Sequence, residues 1–318
     1  MNISLHRLTR FMLLGLLTMG LLLACTPTSH MPIVNQRFKT NNCRVVQHAM
    51  GETCIPLHPQ RVLTIPPDAF ANVSALGINP IAAAYDTTEL FPAYLQDKID
   101  EVELIGDSTQ PNLEKILQLK PDLIIGHAWT PDNYQQLSYI APTVIPSRDI
   151  SWKQELVELA KFLNKEELAN QLMGKYWRRV EELQQAISDR RHHLQISVAG
   201  VSPGFIYAYR DKSPISAVLD DIGLQRPSSQ KGDSYYLDNI SEERLSDIDG
   251  DVLFIVARDG DKGIKEVSEK LSQNPLWQQL EAVQRNQVHI VDYHWHLGDF
   301  LAVNAILDDL FKYLVNTP

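Results

Sequence analysis

Three histidines near the end of the chain, His289, His294 and His296, are the first side chains whose type and spacing could do chemistry. On an extended segment His294 and His296 would point the same way. With a third ligand such as His127 they could hold a transition metal. No two histidines, however, have the i, i+4 spacing of a helical metal site. A second set is aromatic and cationic: Trp129, Arg148, Tyr209, Arg210, Tyr235, Tyr236 and Trp295. Flat rings offer apolar faces, and Arg148 and Arg210 could give bidentate or ionic contacts to an anionic ligand. Most of this set follows strand-like runs, where ligand sites of parallel α/β sheets gather. No phosphate loop, dinucleotide fingerprint or HExxH motif occurs. The chemistry on offer is capture, and no cofactor motif accompanies it.

The element that must position these residues is a long amphipathic helix near the middle of the chain. Leu168, Leu172, Tyr176, Val180, Leu183 and Ile187 recur at three- and four-residue steps. Asn164 and Glu167 have capping-box spacing, which predicts a helix over 164–191, about 40 Å long at 1.5 Å per residue. Gly174 is its weak point. Strand–helix alternation flanks it on both sides. Before it come strands at 61–65, 78–85, 104–106, 123–125 and 143–145 and helices at 68–76, 112–120 and 133–140. After it come strand-like runs within 194–209, strands at 252–256 and 288–291, and helices at 216–222, 241–248, 266–283 and 300–314. Such alternation predicts an α/β fold of two lobes, each with a mainly parallel sheet flanked by helices, bridged by the long helix.

One echo crosses that helix. Glu114 lies eight residues before Asp122, which opens the apolar run Leu123–Ile125; Glu243 lies eight residues before Asp251, which opens Val252–Val256. Apolar residues fall two and five positions after each glutamate: Ile116 and Leu119, then Leu245 and Ile248. This places Glu114 and Glu243 at equivalent points of two similar lobes. A cleft between lobes is where a small ligand would bind.

The first residues address the chain. His6, Arg7 and Arg10 precede an apolar run, Phe11–Leu23, too short for a comfortable membrane span. The run ends in Leu22-Leu23-Ala24-Cys25, which resembles the bacterial lipobox; a plain secretory signal cleaved nearby is the alternative. The resulting division is 1–24 signal peptide, 25–42 tether, 43–163 first lobe, 164–191 bridging helix and 192–318 second lobe. Export makes a disulfide the default for Cys43 and Cys54. A net charge of −10 without a basic run argues against nucleic acid as partner.

Pro59-Gln-Arg-Val62, Ala75-Leu-Gly-Ile78, Pro111-Asn-Leu-Glu114, Leu119-Lys-Pro-Asp-Leu-Ile124 and Asn274-Pro-Leu-Trp277 stand in an order and spacing that resembles the iron-siderophore substrate-binding proteins of ABC importers. The resemblance covers about residues 43–315. It implies the class III substrate-binding fold, a ferric siderophore as ligand with its iron carried inside it, and a permease dimer with ATPase subunits as partner. It further implies a monomer, held by a lipid anchor at Cys25 in the periplasm or at the cell surface. It likens Glu114 and Glu243 to permease-docking glutamates, and Trp129, Trp295 and Tyr235 or Tyr236 to ligand-facing aromatics. The chain departs from several hydroxamate binders at Gly106-Asp-Ser-Thr-Gln110, where they carry an arginine. Here an arginine contact would come from Arg148 or Arg210. The alternatives are a cobalamin or haem carrier of the same fold, or a zinc or manganese carrier using His289, His294 and His296.

Overall fold

Two sheets of the same strand order organise the chain. The computed structural model describes residues 42–85, 92–126, 133–202, 205–257, 269 and 271–315; the expected leader, Cys25 as the expected lipidation site, and His127 and Trp129 lie outside them. An antiparallel hairpin, β1 (Cys43–His48) and β2 (Gly51–Pro56), comes first. The first sheet has the order β5-β4-β3-β6-β7 and is parallel throughout, from β3 (Val62–Thr64), β4 (Ala82–Tyr85), β5 (Glu103–Asp107), β6 (Leu123–Ile125) and β7 (Thr143–Val144). Helices α1 (Pro67–Ala75), α2 (Gln96–Ile99), α3 (Leu113–Leu119) and α4 (Tyr134–Ile140) connect its strands. Its central strands β3 and β6 are buried throughout and apolar but for Thr64, because both faces are covered.

The second sheet repeats the order as β10-β9-β8-β11-β12. Its strands are β8 (Ile196–Ser202), β9 (Phe205–Tyr209), β10 (Tyr236–Ile240), β11 (Val252–Val256) and β12 (Val288–Val291). Only β8, β11 and β12 are parallel; β9 runs antiparallel to both β8 and β10. Residues 203–204 alone separate β8 from β9, too few for the crossover that a parallel pair needs. The expectation of a mainly parallel sheet therefore holds fully for the first sheet and for one side of the second.

Between the sheets lie α5 (Trp152–Leu163), α6 (Glu166–Ile187), α7 (Pro214–Ile222) and, after the short α8 (Glu281–Gln284), the C-terminal α9 (Phe300–Leu314). The long helix starts later than its spacing suggests. Asn164 does not cap it but closes α5 in the left-handed conformation (φ 54°) that asparagine tolerates, and its Nδ2 donates to the Leu57 carbonyl at 3.0 Å. The capping box belongs to Ser151 and Gln154 at the start of α5. Tyr176, Val180, Leu183 and Ile187 of the expected stripe are buried. Gly174 has no atom within 4 Å of where a Cβ would sit, so no close contact requires it.

One apolar core runs from Val62 and Leu123 through Val73, Leu156, Val180, Leu219 and Ile306 to Val198 and Phe254. The outer face of each sheet has a separate core, around Ile105, Ile116 and Ile124 in one and Ile206, Ile240 and Leu253 in the other. Helix α6 is thus not alone in joining the sheets: α9 also packs against α1 on one side and α7 on the other. A disulfide joins Cys43 to Cys54 across the hairpin, and the Ala49 amide ties the hairpin to the Ile145 carbonyl at 2.9 Å. Replacing both cysteines by serine should lower stability by about 3 kcal/mol for a loop this short. Urea unfolding checks this, and an unchanged midpoint would show that the hairpin needs no staple.

Candidate functional site

The second sheet presents an aromatic wall. Along β9 side chains alternate between faces, so Phe205, Tyr207 and Tyr209 share one face, opposite Ile206 and Ala208. Exposure falls along that face from 42% at Phe205 to 9% at Tyr207 and 1% at Tyr209. Tyr207 lies directly across Gly200: a Cβ there would fall 2.1 Å from its ring, so no other residue fits under it. Tyr236 on β10 pairs with Tyr209, and its ring meets those of Tyr207 and Tyr209 edge-on at 5.3 and 5.5 Å.

A 3₁₀ turn, Tyr293–His296, follows β12 and completes the wall. His296 stacks on Tyr293 at 4.6 Å and on Tyr236 at 5.9 Å. Its Nδ1 lies 3.1 Å from the Tyr209 hydroxyl and its Nε2 3.5 Å from that of Tyr236. Burial, reinforced by the neighbouring phenols of Tyr207, Tyr236 and Tyr293, pushes the Tyr209 hydroxyl well above its ordinary range, so it stays a neutral hydrogen-bonding group. The site is apolar in its faces and polar at a few rim atoms, as small-ligand sites are.

Across from it, the loop after β7 carries Arg148 and Asp149, both exposed. Burial first, and then the Asp149 carboxylate, raise the Tyr235 phenol, which places Tyr235 opposite this loop. The loop that carries Arg148 and Asp149 thus lies within electrostatic reach of Tyr235, the residue before Tyr236 of the wall. Arg210 does not join them as an anion contact. Its Nε donates to the Lys231 carbonyl at 3.0 Å, one terminal nitrogen to Ser234 Oγ at 3.1 Å and the other again to Lys231. Its guanidinium packs on Gly232 (φ 134°) and holds the 231–234 loop.

Trp295 is the clearest correction. Expected to face ligand, it is 0% exposed, stacked on Phe254 at 4.4 Å, with its Nε1 donating to Asp309 Oδ2 at 2.9 Å. The 3₁₀ turn, at three residues per turn, sends residues two apart in different directions, where an extended segment would align them. The same turn separates the histidines. His294 faces Asp309 at 3.0 Å, His296 enters the wall, and His289 stacks on Tyr313 at 4.4 Å. Among the described residues no group of three His, Cys, Asp or Glu side chains has a metal-holding arrangement. The histidine-based metal carrier is thus not supported by this geometry. Tyr207, Tyr293 and His296 enter the candidate site from the structure, and the alternation Phe205-x-Tyr207-x-Tyr209 was the signal that marks the first of them.

Gly200-Val-Ser-Pro-Gly204 has the Gly-x-Ser-x-Gly spacing of a nucleophile elbow. Such an elbow turns from a strand into a helix, whereas here β8 leads into the antiparallel strand β9.

The two glutamates lie at matching places. Glu114 is exposed in the first turn of α3, which Asn112 caps by accepting from the Lys115 amide at 3.0 Å. Glu243 is exposed in the 3₁₀ stretch Glu242–Ile248, and a hydrogen bond from Ser241 lowers its carboxyl. Asp122 accepts from the Gln60 and Arg61 amides at 2.8 and 2.9 Å, at the start of β3. Asp251 accepts from the Gln195 amide at 2.7 Å, at the start of β8. The strands that these aspartates open, β6 and β11, each pair with that same central strand. The sequence echo is thus a topological equivalence, helical in one half and 3₁₀ in the other.

The family model for periplasmic binding proteins matches residues 64–293. The chain is similar to the probable siderophore-binding lipoprotein YfiY of Bacillus subtilis, 31% identical with 89% of this chain and 91% of that protein covered. It is also similar to the achromobactin-binding periplasmic protein of Dickeya dadantii, 32% identical over 80% of this chain and 86% of that one. Among solved structures, Staphylococcus aureus SirA in complex with staphyloferrin B matches with a TM-score of 0.74 and 27% identity, covering 85% of this chain and 98% of SirA.

Proposed function

The chain belongs to the periplasmic binding protein family, and we propose from that premise that it is the solute-binding protein of an ABC importer that captures a ferric siderophore. The observation that carries the reading is similarity to siderophore binders in sequence and in fold over 80–89% of the chain. The cargo lies between the lobes, against the wall of Tyr207, Tyr236, Tyr293 and His296 with Tyr235 beside it, and Arg148 on the opposite rim. A ferric siderophore satisfies its own iron, so the protein needs faces and rim donors and no metal ligands. Trp129 belongs to the same ligand set by its resemblance. Lipidation at Cys25 anchors the protein through its tether, outside the cytoplasm. Among the described residues no helix is long and apolar enough to cross a membrane. Glu114 and Glu243 dock the loaded monomer on the permease dimer, which is served by ATPase subunits.

Fluorescence quenching against a panel of ferric siderophores tests the reading, with free zinc and manganese as controls. One ferric chelate should saturate the protein at low concentration while the free ions do not. Replacing Tyr236 and His296 together by alanine should weaken that binding by about two orders of magnitude, the scale of buried aromatic anchors. Tight binding of a free ion, or a double variant with unchanged affinity, would overturn the ion-free cargo or the site respectively.

A further inference from the structure

Arg148 rides on a loop that is held on both sides. Strand β7 ends at Val144, and Ile145 and Pro146 beyond it are buried. The Ile145 carbonyl accepts from the Ala49 amide at 2.9 Å, at the tip of the β1–β2 hairpin. That tip is itself fixed. The Met50 amide donates to His48 Nδ1 at 3.3 Å, His48 Nε2 lies 2.8 Å from Thr53 Oγ1, and the disulfide closes the strands behind them. Two residues after Ile145, the Ser147 amide donates to Glu158 Oε2 of α5 at 2.8 Å. On the far side Ser151 opens α5 with its capping box, its amide donating to Gln154 Oε1 at 2.9 Å. Between these holds run residues 148–150, with Arg148 and Asp149 exposed and Asp149 in the left-handed conformation (φ 58°).

Of these holds, the one nearest the cation is a side chain. A carboxylate that accepts from a backbone amide makes a charge-assisted hydrogen bond, roughly twice as strong as a neutral one. Glu158 takes the amide immediately before Arg148, and the Pro146 ring fixes φ one residue earlier. The arginine stem therefore leaves from a settled backbone. A long cation on a mobile loop loses backbone and rotamer freedom together when it binds; on a pinned loop it loses the rotamer part alone.

We propose that Glu158 is the positioning residue for Arg148: by holding the Ser147 amide it sets the point from which the guanidinium reaches the anionic oxygens of a ferric chelate. This rests on the proposed role of Arg148 at the cargo. Glu158 acts through the loop and does not itself touch the chelate, whose anionic oxygens a carboxylate would repel. Position and charge can be separated. Glutamine loses the charge but keeps a side-chain oxygen that accepts from Ser147, whereas alanine loses both.

Fluorescence titration of the full chain with ferric citrate, ferrioxamine B and ferric enterobactin, a carboxylate, a hydroxamate and a catecholate chelate, selects the tightest as probe. Arg148→Ala and Glu158→Ala should each weaken its binding about tenfold. Glu158→Gln should stay within about twofold of the wild type, because the hold on Ser147 remains. The double variant should bind within about twofold of Arg148→Ala alone, since what Glu158 positions is gone. If Glu158→Ala folds poorly, Glu158→Asp, too short to reach the amide, takes its place. An alanine variant as tight as the wild type, a glutamine variant as weak as alanine, or a double variant that suffers both losses would overturn the positioning role and leave Arg148 at the cargo. An Arg148→Ala variant that binds like the wild type, or a wild type that binds none of the three chelates, would instead remove the cargo reading, and the positioning role with it.

Discussion

Replacing Glu114 and Glu243 together by alanine should abolish uptake of the ferric cargo by cells while the purified protein binds it as before. Both carboxylates are exposed, and neither lies in the aromatic wall. Exposed positions like these change stability by about 0.5 kcal/mol or less, so lost uptake cannot be blamed on lost fold. Complementary charge at an interface governs encounter and register, and two equivalent charges, one per lobe, set both on a symmetric partner. Radioactive iron uptake and a binding titration, run on the same variant, separate the possibilities. A parallel loss of affinity would place these residues at the cargo and remove the docking role. Each single variant should keep part of the uptake, since one anchor remains.

Trp295→Ala should cost about 3–5 kcal/mol of folding stability, the range for removing a buried tryptophan. The ring fills the space against Phe254, and its Nε1 supplies one of two hydrogen bonds to Asp309 Oδ2, the other coming from His294. The loss should show in urea unfolding without ligand, and in binding only through the fraction unfolded. Trp295→Phe should recover much of the packing and none of the hydrogen bond. A variant that stays fully stable but binds cargo weakly would restore Trp295 to the ligand site.

The contrast between Trp295 and Tyr236 shows where sequence reading stops. Both are aromatic and both stand beside strands of the second sheet. One is core and the other belongs to the wall, because the 3₁₀ turn after β12 orients the first inward while β10 presents the second at the lobe junction. Arg210 and Arg148 divide in the same way: a guanidinium next to Gly232 finds loop carbonyls, while Arg148 stands exposed on the loop after β7. Local patterns name residue types that can bind, and they do not say which neighbours claim them first.

By itself the sequence determined what is periodic or local. Strand–helix alternation, the apolar stripe of α6 and the repeated glutamate–aspartate spacing follow from side-chain order along the chain, and hydrophobic burial acts on that order directly. The tertiary structure decided what depends on distant partners. Asn164 became the end of one helix instead of the start of the next because Leu57 offers it a carbonyl. The three histidines went to three different partners. Above all, Tyr94 and Asp299 meet at the seam although a long stretch of chain separates them. No periodicity encodes that meeting, because it arises only when α9 closes on elements of the first sheet's side and excludes water from Asp299.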